Sequence, residues 1–187
     1  MAQPKTIGAT EINAAIDRLA TAIAASHGSG SKLLLLGIAN GGVELARRLS
    51  ARLSSLRPPL AAKPGTLDIS FHRDDIARHP IPKEFAPTFI PGDVNGSTVV
   101  MVDDVLFSGR TIKAALDELF DHGRPSKVEL AILVDRGGRR LPFKPDYCGF
   151  TVETGESEKV TVRLDPADQT RDEIRIAPAP AGQKSAL

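Results

Sequence analysis

Two carboxylates stand side by side at Asp103 and Asp104, and a Ser108-Gly109-Arg110-Thr111 run follows close behind them. These residue types suit a ligand with two chemically different ends. Where a chain enters a helix, several backbone N–H groups lack intrahelical partners and the helix dipole favours an anion. Gly109 lets the backbone approach a phosphate closely or take a positive φ, and the hydroxyls of Ser108 and Thr111 add donors. Paired acids would repel a lone phosphate, so they make sense as acceptors for hydroxyl groups of the same molecule. A ribose 5-phosphate carries both, with its phosphate for the helix start and its 2- and 3-hydroxyls for the acids. A simple capping turn would explain Ser-Gly-Arg-Thr alone. It does not explain the acidic pair, the apolar strand before it and the helix after it, all in one register. No lysine follows Gly109, which excludes a Walker-type nucleotide loop, and there is no Gly-x-Gly-x-x-Gly fingerprint.

The elements that must position these groups are legible in the periodicity. Thr98 to Val102 is a wholly apolar strand leading into the stretch Asp103 to Thr111, and Ile112 to His122 reads as a helix closed by Gly123 and Pro125. Lys32 to Ile38, Thr66 to Phe71 and Lys127 to Val134 read as further buried strands. Ile12, Ile16, Leu19 and Ile23 recur at helical spacing, and Val43 to Leu56 does so again after the glycine turn Ala39-Asn40-Gly41-Gly42. Strands alternating with helices predict an α/β fold built on a mainly parallel sheet, with ligands at the carboxyl ends of its strands. The segment Asp74 to Asp93 carries Pro80, Pro82, Pro87 and Pro91 and reads as a long mobile loop. Val160 to Leu164 and Glu173 to Ile176 alternate like half-exposed strands. Residues 1–176 are expected to form one domain, with 177–187 a disordered tail.

The stretch Val99-Val-Met-Val-Asp-Asp-Val-Leu-Phe-Ser-Gly-Arg-Thr111 resembles the phosphoribosyl-pyrophosphate motif of type I phosphoribosyltransferases. Asp68-Ile-Ser-Phe-His-Arg-Asp-Asp75, Gly123-Arg-Pro-Ser126, Leu133-Val-Asp-Arg-Gly137 and Ser157-Glu-Lys-Val160 narrow it further. Together these segments resemble the PyrR group, which combines attenuation of pyrimidine operons through mRNA binding with uracil phosphoribosyltransferase activity. The resemblance implies a type I phosphoribosyltransferase-like fold with a strand-rich hood, converting uracil and phosphoribosyl pyrophosphate to UMP and pyrophosphate. It implies Mg2+ carried mainly by the phosphoribosyl pyrophosphate, with no metal ligand directly assigned. Uridine nucleotides, a leader mRNA and further copies of the chain are the implied partners.

Residue by residue, the resemblance gives Asp103 and Asp104 the ribose hydroxyls and the charge developing at the anomeric carbon. Val105, Leu106, Phe107, Ser108, Gly109, Arg110 and Thr111 form the phosphate-binding stretch, and Ala39, Asn40, Gly41 and Gly42 the pyrophosphate loop. Val134, Asp135 and Arg136 stand where uracil is held, and Arg73 would approach the pyrophosphate from the base of the proline-rich loop. The chain also departs from the pattern. RNA-regulating members often carry basic residues in the pyrophosphate loop, whereas Ala39-Asn40-Gly41 has none, which implies weaker substrate binding. Phe150 and Thr151 replace a basic residue and an amide.

Composition bounds the alternatives. The chain has 187 residues, 41% hydrophobic and 25% charged, with a formal net charge of +1, which suits one globular domain rather than a strongly basic nucleic-acid binder. Cys148 is the only cysteine, so no internal disulfide can form and a reducing cytoplasm is the expected location. The longest apolar run, Leu33 to Leu36, is far short of a membrane span, and Met1 to Thr10 lacks a signal-peptide pattern. Cys148 reads as buried filler, and Arg136, Arg139 and Arg140 read as a hydrated basic cluster. His27, His72, His79 and His122 are scattered without metal-ligand spacing. Asp74-Asp75 fits a solvated turn or a role in metal binding or loop closure. An enzyme and an mRNA-binding regulator that senses uridine nucleotides through the same pocket are the two functional readings.

Overall fold

Successive leucines of Leu33–Leu36 enter two different cores, Leu33 and Leu35 on one side and Leu34 and Leu36 on the other. A strand buried on both faces belongs in the middle of a sheet covered by helices. The computed structural model describes residues 5–28, 30–58, 63–70, 72, 87–155 and 157–179. Its elements run β1 (Lys5–Gly8), α1 (Ala9–Ser26), β2 (Leu33–Ile38), α2 (Gly41–Leu56), β3 (Pro64–Leu67), β4 (Thr98–Leu106), α3 (Arg110–Asp121), β5 (Lys127–Asp135), β6 (Tyr147–Thr151), β7 (Glu158–Arg163) and β8 (Glu173–Pro178).

Five strands form a parallel sheet in the order β3-β2-β4-β5-β6, and β1-β8-β7 form a small antiparallel sheet. Val100, Val102, Ala131 and Leu133 face α1 and α2, in a core that continues into the small sheet through Val160, Ile174 and Ile176. Val99, Met101, Leu130 and Ile132 face the opposite way, where Ile112, Ala115 and Leu119 of α3 cover them. Each fully buried leucine or isoleucine contributes about 1.5–3 kcal/mol of transfer free energy, so the two helix layers fix the strand order. Leu36 and Gly37 of β2 lie beside Met101 and Val102 of β4, and Leu106 beside Asp135 of β5. The carboxyl ends of these three strands therefore open on one edge.

Several boundaries differ from the sequence reading. β4 does not stop at Val102: Asp103 to Leu106 continue it, because Asp103, Val105 and Leu106 pair with Ile132, Val134 and Asp135. Of the stretch expected to bind phosphate, Val105 and Leu106 are thus strand, and the turn proper is Phe107 to Gly109. β3 ends at Leu67 and α2 begins two residues early, at Gly41. β1 and β6 are strands that the periodicity does not mark. β8 runs to Pro178 rather than ending at Ile176, since Ala177 and Pro178 pair with Lys159 and Glu158. Residues 180–187 lie outside the described residues. Cys148 is exposed rather than buried, since β6 is the outer strand of its sheet. Among the described residues no helix is long and apolar enough to cross a membrane.

Candidate active site

Asp103 and Asp104 sit near the end of β4, Asp103 buried and Asp104 partly exposed, with the Asp104 N–H donating to Asp103 Oδ1 at 3.0 Å. Burial pushes the Asp103 carboxyl well above its ordinary range, and the adjacent Asp104 pushes it further, against the pull of that one N–H donor. Asp104 is raised as well, by burial, although backbone N–H groups oppose the shift. The pair holds protons more tightly than free aspartates do, as expected for two like charges in a desolvated place.

Beyond Leu106 the chain turns through Phe107, Ser108 and Gly109 into α3. Gly109 has φ 91°, and a Cβ there would fall 2.8 Å from the Phe143 ring, so both conformation and space require glycine. Arg110 begins the helix; its N–H points to Ser108 Oγ at 3.4 Å, while the Ser108 carbonyl accepts from the N–H groups of Arg140 and Leu141 at 3.0 Å. Thr111 is exposed in the first turn. The N-terminal amides of α3 and these two hydroxyls thus share one turn, next to the acidic pair.

After β2, the Ala39 N–H donates to the Leu67 carbonyl at 2.9 Å, the Ala39–Asn40 peptide is cis, and Gly41 starts α2 with no side-chain cap from Asn40. A Cβ on Gly41 would lie 2.5 Å from both carboxylate oxygens of Asp104, and one on Gly42 would overlap the Val102 carbonyl oxygen. The turn therefore abuts the end of β4 because it carries no side chains there.

Val134 is fully buried, Asp135 ends β5, and Arg136 crosses back over the turn. The Arg136 guanidinium lies 4.2 Å from the centre of the Phe107 ring and donates to Thr154 Oγ1 at 3.1 Å and to the Glu158 carbonyl at 2.8 Å. Burial lowers its pKa, with Glu158 opposing. The Asp135 carboxylate accepts from the Gly137 N–H at 2.9 Å and pairs with Arg139 at 2.5 Å. Arg139 also donates to the carbonyls of Phe107 at 2.8 Å and Phe143 at 3.0 Å.

Arg136 and Arg139 are consequently not a hydrated cluster: they fasten the turn to β5 and to the strand β7, and only Arg140 of the three is exposed. Spacing alone gives no sign of this, because every partner but Asp135 is remote in sequence or a backbone group.

The structure thus brings together Asp103–Thr111, Ala39–Gly42 and Val134–Arg136 at one edge of the sheet. Arg73 and Asp74-Asp75 lie outside the described residues, as does most of the proline-rich segment. Of the histidines expected to be scattered, His72 and His122 meet at Glu118, at 3.0 and 3.1 Å. His79 lies outside the described residues.

Residues 8–168 match the model of the phosphoribosyl transferase domain family. Curated relatives include the Bifunctional protein PyrR of Roseiflexus sp. strain RS-1, 42% identical and covering 94% of this chain and 96% of the relative. That of Streptomyces coelicolor is 46% identical over 91% of this chain and 88% of the relative. Among solved structures, a hypoxanthine-guanine phosphoribosyltransferase from Bacillus anthracis superposes with a TM-score of 0.65 at 17% identity, covering 94% of this chain and all of that one. The hypoxanthine phosphoribosyltransferase of Trypanosoma cruzi gives 0.64 at 20% identity, over 92% and 95% of the two chains. At such identities the structural likeness speaks to the fold.

Proposed function

Because the chain belongs to the phosphoribosyl transferase family and, within it, to the PyrR group, we propose that it is a uracil phosphoribosyltransferase joining uracil to phosphoribosyl pyrophosphate with release of pyrophosphate. The observation that carries this reading is the convergence of three segments at the sheet edge. The acidic pair of β4 abuts the glycine turn after β2, and the helix-opening turn Phe107–Thr111 is continuous with the same strand.

In this reading the N-terminal amides of α3, with Ser108 and Thr111, bind the 5-phosphate. Asp103 and Asp104 accept from the ribose hydroxyls and stabilise positive charge as the bond from the anomeric carbon to the pyrophosphate oxygen breaks. The Ala39–Gly42 turn offers backbone amides to the departing pyrophosphate, and Arg73 adds charge. Val134, Asp135 and Arg136 supply the wall for the base. Because the Asp135 and Arg136 side chains are already held by Arg139, Gly137 and Thr154, that wall needs no reordering on binding. The N1 nitrogen of uracil forms the new bond as the bond to pyrophosphate breaks, its proton passing to the departing pyrophosphate or to solvent, so no protein nucleophile is required.

The site's donor chemistry fits Mg2+, which prefers carboxylate oxygens and keeps several waters. Asp103 and Asp104 would hold it directly or through its waters, and when bound with the substrate it neutralises pyrophosphate charge. The direct test supplies Mg2+, phosphoribosyl pyrophosphate and labelled uracil and follows UMP, with an Asp103→Asn, Asp104→Asn double variant alongside. UMP formed by the wild type and lost in the variant is the expected result; no UMP from the wild type would refute the reading.

The curated relatives are named bifunctional, which favours a second capacity: binding of a pyrimidine leader mRNA under control of uridine nucleotides in the same pocket, by an oligomer of the chain. The cations that α1 and α2 could offer are largely engaged. Arg47 pairs with Glu44, Arg52 with Asp17, and Arg57 donates to the His27 carbonyl. The RNA affinity expected from phosphate neutralisation is therefore modest and steeply salt-dependent. Filter binding of a leader RNA with and without UMP decides it.

A further inference from the structure

On the α3 side of the sheet, away from the acidic pair, three side chains converge that the reaction does not use. Glu118 and Asp121 are three apart on α3 and so share a face. The turn after β3, held by the His72 N–H donating to the Ile69 carbonyl at 3.0 Å, brings the His72 ring over them. His72 Nε2 lies 3.0 Å from Glu118 Oε2 and 3.5 Å from Asp121 Oδ2, and one donor atom from each of the three residues falls within 4.8 Å of the others. Ligands about 2.0–2.2 Å from a tetrahedral metal are about 3.3–3.6 Å apart, close to the two separations made by His72. We infer that His72, Glu118 and Asp121 form a binding site for a divalent transition-metal cation of the zinc type.

What surrounds Glu118 supports this reading. Its Oε1 accepts from the Thr88 hydroxyl at 2.5 Å and meets His122 Nε2 at 3.1 Å, which fixes the carboxylate and leaves Oε2 directed at His72. Thr88 is itself held, because its Oγ1 accepts from the Asp68 N–H at 2.9 Å. Oriented second partners of this kind are what metal-ligating carboxylates have. An imidazole with two carboxylates selects zinc-like ions over Mg2+, so the Mg2+ of the phosphoribosyl donor does not compete.

The test uses full-length protein freed of metal by a chelator, without substrate, so its outcome is independent of the catalytic reading. Calorimetric titration with Zn2+ should show one saturable site that excess Mg2+ does not displace. His72→Ala and Asp121→Asn should each weaken it at least about tenfold. Asp117→Asn, on the same helix but paired with Lys113, should leave it unchanged, with circular dichroism confirming the fold of each variant. Co2+ in place of Zn2+ should give d–d bands without sulfur-to-cobalt charge transfer. Absence of saturable Zn2+ binding, binding indifferent to His72→Ala, or a thiolate charge-transfer band pointing to Cys148 would overturn the assignment.

Discussion

The α-carbon of Gly41 rests against the carboxylate of Asp104, so close that a methyl group there would lie 2.5 Å from both oxygens. This contact joins the turn after β2 to the end of β4, and with it the two ends of the proposed substrate: the leaving pyrophosphate and the ribose. Gly41→Ala must push the carboxylate or the start of α2 aside. Forcing a methyl into a filled space costs about 1–3 kcal/mol, a fall in Tm of a few degrees for a chain of this size. The expected result is a folded protein with kcat/KM for phosphoribosyl pyrophosphate reduced at least about tenfold, since small misplacements in a reacting geometry are costly. Unchanged kinetics would place the contact outside the catalytic arrangement.

The buried Asp103 predicts an exchange of stability for function. Its carboxyl is raised above 3.8, by burial first and by Asp104 second. Above that pH the unfolded chain releases the proton more readily than the folded one, so the group subtracts stability as pH rises, until the folded pKa is passed. Asp103→Asn keeps an oxygen for the Asp104 N–H but removes the penalty. The variant should melt several degrees above wild type at neutral pH, with the difference closing towards pH 3.8, while UMP formation falls steeply. A variant less stable at neutral pH would contradict this account of the pair.

At the opposite end of the sheet the sign reverses. Glu129 on β5 is buried, which would raise its pKa. Hydrogen bonds from Lys127 of the same strand, from Tyr147 of β6 and from His27 beyond α1 outweigh burial and hold it below 4.5. Asp146 is the other charged group nearby on the β6 side. The lowered carboxylate contributes stability above about pH 4.5 that is lost as pH falls through its folded pKa. Glu129→Gln should cost about 1–3 kcal/mol at neutral pH, and thermal melts of the two proteins should converge as the pH approaches 3. A gap that stays constant across that range would show that packing, not charge, is what Glu129 supplies.

The turn proposed to meet pyrophosphate lacks the positive charge that the PyrR resemblance would lead one to expect, since Ala39, Asn40 and Gly41 are neutral. Asn40 makes no side-chain cap for α2, so its replacement removes little. Asn40→Arg should lower KM for phosphoribosyl pyrophosphate severalfold, and more at low salt than at high. An unchanged or higher KM would mean that the anion meets this turn differently.

The central sheet and the acidic motif were legible because apolar runs and the Asp103–Thr111 stretch are local signals. The end of β4 was not, because aspartate is rare in strands and only pairing with Ile132 and Val134 keeps Asp103 to Val105 extended. β1 leaves little mark in the sequence because Ile7 is its one buried residue, and β6 because Gly149 interrupts it and only Tyr147 is buried. Arg139 looked like surface charge, yet its partners include the carbonyls of Phe107 and Phe143; backbone acceptors leave no mark in a sequence. The same holds for His72 and Glu118, which are far apart in the chain and meet only in the folded structure.

The measurement that bears most directly on the central claim is a comparison of kcat/KM for uracil, hypoxanthine, guanine, adenine and orotate, each with Mg2+ and phosphoribosyl pyrophosphate. The solved structures with a similar fold include enzymes named for hypoxanthine and guanine, so base preference separates this chain from its structural likeness. Uracil should exceed every other base by at least about a hundredfold, a discrimination of about 2.7 kcal/mol. Equal or better use of a purine would contradict the assignment of Val134, Asp135 and Arg136 to a uracil pocket.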